Sequence, residues 1–235
     1  MSFRGSVRRA LADPLGGSMA RHFAIPAVTA IVADGECGEA DRVALAELTE
    51  AMVRAGVPRG RMFALLTSGA APEPSARERA RALRDLLGMP VIAHDPAQAG
   101  FEPGSFAGGV PLALDDELRE AEAVVACGRF GADRNGHLQG GPAALLPGLA
   151  GAASRAALAE TLAACPDAEA RSRAALAAAL EALGHVPVDF ALVWNADDPA
   201  VVRAGEGRAV FAACVADGWA APGKRSAGGT RGGEA

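Results

Sequence analysis

Few side chains in this 235-residue chain are of a type that moves protons or holds ligands. Asp133 and His137 lie four positions apart in "DRNGH", close enough in sequence to act as an acid–base pair. His94 stands beside Asp95 in "PVIAHD", at the end of an apolar run. There it can face a ligand or make a structural hydrogen bond. Asp34 closes a longer apolar run, "HFAIPAVTAIVAD", and passes from a buried segment straight into a polar one. The stretch "HLQGGPAALLPGLAG", residues 137–151, has a different character. Its adjacent Gly140 and Gly141 allow backbone N–H groups to approach an anion without any charged side chain.

Cys37, Cys127, Cys165 and Cys214 are widely spaced and form no C-x-x-C pair, so reduced thiols and a cytoplasmic location are expected. His94, His137, Asp133 and Cys127 share no metal-ligand spacing, and no metal is expected. The net charge of −5 comes without basic blocks, which argues against a nucleic-acid footprint. No run of about 20 apolar residues is present to span a membrane, and the N-terminus shows no signal-peptide pattern. No P-loop, G-x-G-x-x-G, G-x-S-x-G or H-E-x-x-H occurs. Lysine occurs once, as Lys224, which removes mechanisms that need a buried amine.

The elements that would position these residues alternate. Strands are expected at 22–34, at "RMFALLTSG", at "PVIAHD", at "AVVACG" and at "VDFALVWN". Helices are expected at "EADRVALAELTEAMVRAGVP" and at "SARERARALRDLLGM", the latter with Ser75 as N-cap and Gly88 at its end. A Gly- and Pro-rich connection precedes a helical or turn-like segment at 115–122. An Ala-rich helical region covers 152–184 with a break at Cys165-Pro166, and "DPAVVRAGEGRAVFAACVADG" begins as a short strand and becomes a helix. This order predicts a single α/β domain over 23–221. It would hold a mostly parallel, Rossmann-like sheet with helices on both faces, a flexible arm at 1–22 and a disordered tail at 222–235. Ligands of such folds sit at the carboxyl ends of the strands. Those ends carry Asp34 through Cys37, Thr67-Ser68-Gly69, His94-Asp95, and Cys127 through Gly141. Asp34, His94, Gly128, Gly140 and Gly141 are therefore the candidate ligand-binding residues.

At residues 121–151, "AEAVVACGRFGADRNGHLQGGPAALLPGLAG", the chain resembles the nickel-dependent lactate racemase family. That family carries a strand, a Gly, then P-H-x-x-x-G-x-S-G-G-x-K-x-I-x-P-G. Gly140, Gly141, Leu145, Pro147 and Gly148 match it in register. His94-Asp95, the lead-in "GGVPLALDDELREAEAVVACG" and the closing "VDFALVWNADDPAVVRAGEGRAVFAACVADG" fit the same order, so the resemblance covers most of 25–218, the family's N-terminal domain.

The resemblance also assigns chemistry, and this chain departs from it position by position. The lysine that tethers the family's nickel pincer nucleotide falls on Ala143. The acid–base histidine ahead of the loop falls on Asp133, and the nickel-binding histidine falls on Ala159. The second acid–base histidine and the neighbouring arginine fall on Ala71 and Pro72. A carbon acid needs a base within hydrogen-bond reach, and alanine supplies none. The expectation is a catalytically degenerate or repurposed homologue without cofactor, binding a small anionic ligand or a partner, such as a chain that completes the cleft. The alternative is an active 2-hydroxy-acid racemase or epimerase in which Asp133 and His137 act as displaced catalytic residues.

Overall fold

The computed structural model describes residues 2–23, 28–67 and 73–222. In chain order the elements are α1 (Phe3–Ala12), α2 (Met19–His22), β1 (Thr29–Ala33), α3 (Glu39–Arg54), β2 (Met62–Leu66), α4 (Glu73–Leu87), β3 (Val91–Ala93), β4 (Phe101–Phe106) and β5 (Val110–Leu114). They continue as β6 (Ala123–Ala132), β7 (Leu138–Gly140), α5 (Ala152–Ala163), α6 (Ala168–His185), β8 (Phe190–Asn195), β9 (Val202–Glu206) and α7 (Gly207–Ala216).

Among the described residues, seven strands form one sheet, ordered β3-β2-β1-β6-β8-β9, with β7 added to β6. The pairs β1–β2, β1–β6, β2–β3 and β6–β8 are parallel; β8–β9 and β6–β7 are antiparallel. Counting only the strands along the main path, the order is 3-2-1-4-5-6, a Rossmann-like winding that reverses between β1 and β6. The apolar runs follow from this position. Alternate residues of β1 feed two separate cores: Ala30 and Val32 face α5, α6 and α7, while Ile31 and Ala33 face α1, α3 and α4. A strand covered on both faces must be apolar at every position. The mostly parallel α/β domain with helices on both faces is the expected one.

Helix boundaries follow local chemistry. Asp41 returns its carboxylate to the Gly38 N–H, 2.8 Å away, at the start of α3. Gly56, with φ +105°, ends the same helix, and Val57 N–H reaches Met52 O at 3.0 Å. Asp167 caps α6 by accepting from Ala170 N–H at 2.7 Å, which places the break at Cys165-Pro166. The helix α4 begins at Glu73, so Ser75 lies inside it rather than capping it.

Two expectations need correction. The first residues are not a loose arm: α1 is capped by Ser2 and buries Val7 completely. Phe3 meets Trp194 edge-on, with ring centroids 5.3 Å apart. Leu15 exchanges backbone hydrogen bonds with Ala204 and Glu206 on β9, both at 2.8 Å. The apolar residues Phe3, Val7, Ala10 and Leu11 keep helical spacing beneath the arginines. The Gly- and Pro-rich connection is a hairpin, β4–β5, turning through Ala107, Gly108 and Gly109 at positive φ. It buries Phe106, Leu112 and Leu114. The expected disordered tail lies, beyond Pro222, outside the described residues, as do 24–27 of the first expected strand. No described helix is long and apolar enough to cross a membrane.

Candidate functional site

A crevice of about 200 Å³ opens where the winding reverses, at the carboxyl ends of β1, β2 and β6. Its floor is Ala126, Cys127 and Gly128 with Thr67, and one wall carries Asp34, Glu36 and Arg129. The opposite wall is the segment that follows β6: β7 folds back along the strand end, pairing Gly140 with Phe130. A tight 3-10 turn, Gly141–Ala144, then runs into Pro147 and Gly148. Arg155, on the second turn of α5, completes the lining.

The glycine pair is dictated by this geometry. Gly140 has φ +57°, and a Cβ there would sit 1.6 Å from Arg129 O. At Gly141, with φ +53°, a Cβ would meet the Phe130 ring at 2.8 Å. Gly128 differs: a Cβ there would meet nothing within 4 Å, so the position opens toward crevice space.

Asp34 organises its wall. One carboxylate oxygen accepts from Glu36 N–H at 2.9 Å and the other from Arg129 Nε at 3.0 Å. Arg129 Nη2 also donates to Glu36 at 2.6 Å. Burial works against the Arg129 charge, but Asp34 and Glu36 outweigh it and raise its pKa. The β1 end is held in place by Arg79 Nε donating to Gly35 O at 2.7 Å, and by Gly35 N–H donating to Thr67 Oγ1 at 3.2 Å. Behind this wall Asp41 is buried, and one of its carboxylate oxygens has no hydrogen-bond partner among the described residues. Burial first, and the charge of Asp34 second, push its pKa up to about 6. Cys37, at φ +45°, donates its S–H to Asp34 O at 2.8 Å. Burial pushes its thiol up to about 12, and the fully buried Cys127 thiol is raised as well.

The structure thus brings Asp34, Gly128, Gly140 and Gly141 together at one crevice. His94 lies elsewhere. Its side chain is fully buried, with Nδ1 2.6 Å from Asp115 Oδ2 and Nε2 donating to Ala150 O at 3.1 Å. It ties the end of β3 to the base of the hairpin and to the exit of the Gly-Gly segment. Asp133 and His137 sit at the tip of the β6–β7 turn and do not line the crevice. Asp133 accepts from the N–H groups of Asn135 and His137, and its other oxygen lies 3.1 Å from His137 Nδ1. Burial opposes its ionisation, but those hydrogen bonds win and hold the carboxyl below its ordinary range. The His137 side chain is 58 % exposed.

Of the positions marked by the family resemblance, Ala143 is buried in the crevice wall and Ala159 is exposed on α5. Ala71 and Pro72 lie outside the described residues. Among the described residues no three His, Cys, Asp or Glu side chains are grouped as a metal site. Sequence reading missed Arg155, Gln139 and the role of Arg129 in the crevice. Arg155 carried a usable signal, as the first charged residue of the mostly small and apolar α5. A larger groove of about 870 Å³ lies at the other end of the sheet, by the amino end of β8, lined largely by apolar residues such as Leu183, Val188 and Phe211. The convergent charged side chains and the switch point lie at the smaller crevice, which is therefore the candidate site.

The fold is similar to that of the lactate racemase apoprotein from Thermoanaerobacterium thermosaccharolyticum. The TM-score is 0.73 at 17% identity, over 91% of this chain and 54% of that one. A protein from Thermotoga maritima is similar over 90% of this chain and 56% of its own, with TM-score 0.55 and 14% identity. The chain spans about half the length of these solved structures. No protein-family model and no curated protein matches the sequence.

Proposed function

We propose that this chain is a lactate-racemase-like domain that binds a small ligand through an anionic group in the switch-point crevice, without the chemistry of the nickel-dependent racemases. The observation that carries this reading is the make-up of the second crevice wall. The Gly140–Gly141 turn forms it, Arg155 contributes a cation, and Ala143 occupies the position that the resemblance assigns to the tethering lysine. The donor set does not fit a lysine-tethered nickel group: Ala143 offers no amine and Ala159 no imidazole. A general base must lie within hydrogen-bond reach of the proton that it removes. The Asp133–His137 pair is outside the crevice lining and already engaged with itself.

Calorimetric titration with phosphate, lactate and sugar acids tests the reading, using wild type and Gly128→Val. The valine enters open space on a β-strand, so the fold is expected to hold while the crevice loses volume. The expected result is millimolar or tighter binding of at least one anion, abolished by Gly128→Val and unchanged by Asp133→Asn with His137→Ala. No binding, or binding indifferent to Gly128→Val, overturns the proposal. Proton exchange at the 2-carbon of lactate in D₂O that is lost in the Asp133–His137 double variant would establish the active alternative instead.

A further inference from the structure

The helices α6 and α7 lie on the same side of the sheet and place their apolar side chains unlike ordinary surface helices. In α6 the buried positions are filled by small residues, Ser172, Ala175, Ala178, Ala179 and Ala182. Its leucines stand outside that stripe: Leu176 and Leu183 are half-buried, and Leu180 is 45% exposed. At 176, 180 and 183 they keep helical spacing and form a ridge along the helix. The helix α7 lacks a polar face. From Ala209 to Ala216 it carries no charged side chain, and Ala212 and Ala216 are exposed. A helix that is apolar all round is normally covered. Between the leucine ridge and these alanines runs the groove of about 870 Å³, with the buried Val188 and Phe211 in its lining.

We propose that two copies of this chain pair through this face, about a two-fold axis along the groove, so that the leucine ridge of each copy seats over the alanines of the other. Such an isologous contact requires a surface that contains its own complement. Here a bulky ridge and a shallow trough lie side by side. The charges agree with this arrangement. Arg208 is exposed in the first turn of α7, at the positive end of that helix's dipole, where a cation is disfavoured. The last turn of α6 lies at the same end of the sheet, because α6 leads into Phe190, and Phe190 pairs with Glu206 just ahead of α7. Pairing across the groove brings Arg208 of each copy to the negative, carbonyl end of the other copy's α6. Asp189, whose carboxylate accepts from Val124 N–H at 2.8 Å, and Glu206 border that end as well. It therefore carries both signs, and no single-signed field holds like copies apart.

Sedimentation velocity of the full chain between about 1 and 100 µM decides it, with a dimer expected to form within that range. Leu180→Glu and Ala212→Glu both fall at exposed helical positions. Each is expected to weaken dimerisation at least about tenfold, the scale of one interface hot spot, without loss of helical circular dichroism. Leu86→Glu, 52% exposed on α4 and on the opposite side of the sheet, is expected to leave the dimer intact. A chain that is monomeric at about 100 µM overturns the proposal, whether its groove then takes up an apolar small molecule or nothing. So does a dimer that survives both groove variants, or one that Leu86→Glu dissolves as readily. The groove and the crevice lie at opposite ends of the sheet, so none of these outcomes bears on the anion-binding reading.

Discussion

Replacing Gly140 by alanine separates two costs that usually occur together. The residue sits at φ +57° and ψ −159°, a region essentially reserved for glycine, and an L side chain there costs roughly 1–3 kcal/mol. In addition, the new Cβ would lie 1.6 Å from Arg129 O, which is backbone and cannot rotate away. Relief requires β7 to lift from β6, at the pairs Phe130–Gly140, Gly131–Gln139 and Ala132–Leu138. Losing one or two of those ladder bonds adds about 0.5–1.5 kcal/mol each. The expected total is roughly 2–6 kcal/mol, a fall in Tm of roughly 5–20 °C for a chain of this size. Gly88→Ala is the control: φ is +64°, but a Cβ there meets nothing within 4 Å, so only the conformational cost of about 1–2 kcal/mol applies. Urea unfolding of the three proteins gives both numbers. Ligand binding should fall in Gly140→Ala alone, because β7 leads into the crevice wall. A Gly140→Ala variant within about 0.5 kcal/mol of Gly88→Ala would refute the steric argument and the role of β7 as a fixed wall.

Asp41→Asn should stabilise the protein at pH 8 and not at pH 4. The folded state holds the carboxyl at about 6 against an ordinary 3.8, so it retains a proton that the unfolded chain releases between those values. Stability is lost as pH rises across that window, and at about 1.4 kcal/mol per unit the loss is roughly 3 kcal/mol. Urea titrations of both proteins at the two pH values check the sign; an equal difference at both would refute it. His94→Ala leaves the Asp115 carboxylate, 12% exposed, without its imidazole and frees Ala150 O. A cost of about 3–5 kcal/mol is expected in thermal or urea unfolding, and a neutral variant would show that the pair is not holding the hairpin base. Of the four thiols, Cys37, Cys127 and Cys214 are buried with raised pKa values, and Cys165 is partly exposed. One thiol should react promptly with a disulfide reagent at pH 8 in the native state, and four should react in denaturant. Prompt reaction of two or more would contradict the burial of Cys37, Cys127 and Cys214.

The parallel sheet was legible because its central strands are buried on both faces, and this forces continuous apolar runs such as 29–33 and 190–195. The break in the Ala-rich region was legible from one Cys-Pro step. The hairpin β4–β5 was not, because Pro103, Pro111 and the Gly108-Gly109 turn resemble a connection, and its half-buried strands alternate only weakly. The helix α1 was hidden by its arginines, which stand on the solvent side of a stripe only four residues deep. At the site, the residues attached to strand ends were foreseeable: Asp34, Gly128, Gly140 and Gly141 converge. His94 shared the strand-end position but points inward, a difference set by Asp115, which sequence distance separates from it. The partnership of Arg129 with Asp34 joins β6 to β1 across the sheet, and no local pattern marks such a contact.

The Gly-Gly frame does not by itself speak for a cofactor. Each of its demands is met within the polypeptide: Gly140 by the backbone of Arg129, Gly141 by the ring of Phe130, and Gly148 by Ala144 O, 2.2 Å from where a Cβ would stand. A chain that folds β7 back on β6 and turns at once beneath α5 needs glycine at these points whatever the crevice holds. Chemistry enters only through side chains that the frame leaves free to vary, and here those are Ala143, Arg155 and the Asp34–Glu36–Arg129 wall. The same backbone can therefore carry different side chains without a change of fold, and in the crevice wall this chain carries Ala143. Gly148→Ala should therefore destabilise the ligand-free protein, because the new Cβ would stand 2.2 Å from Ala144 O. A Gly148→Ala variant as stable as wild type in urea unfolding would show that the frame answers to the occupant of the crevice and not to the polypeptide.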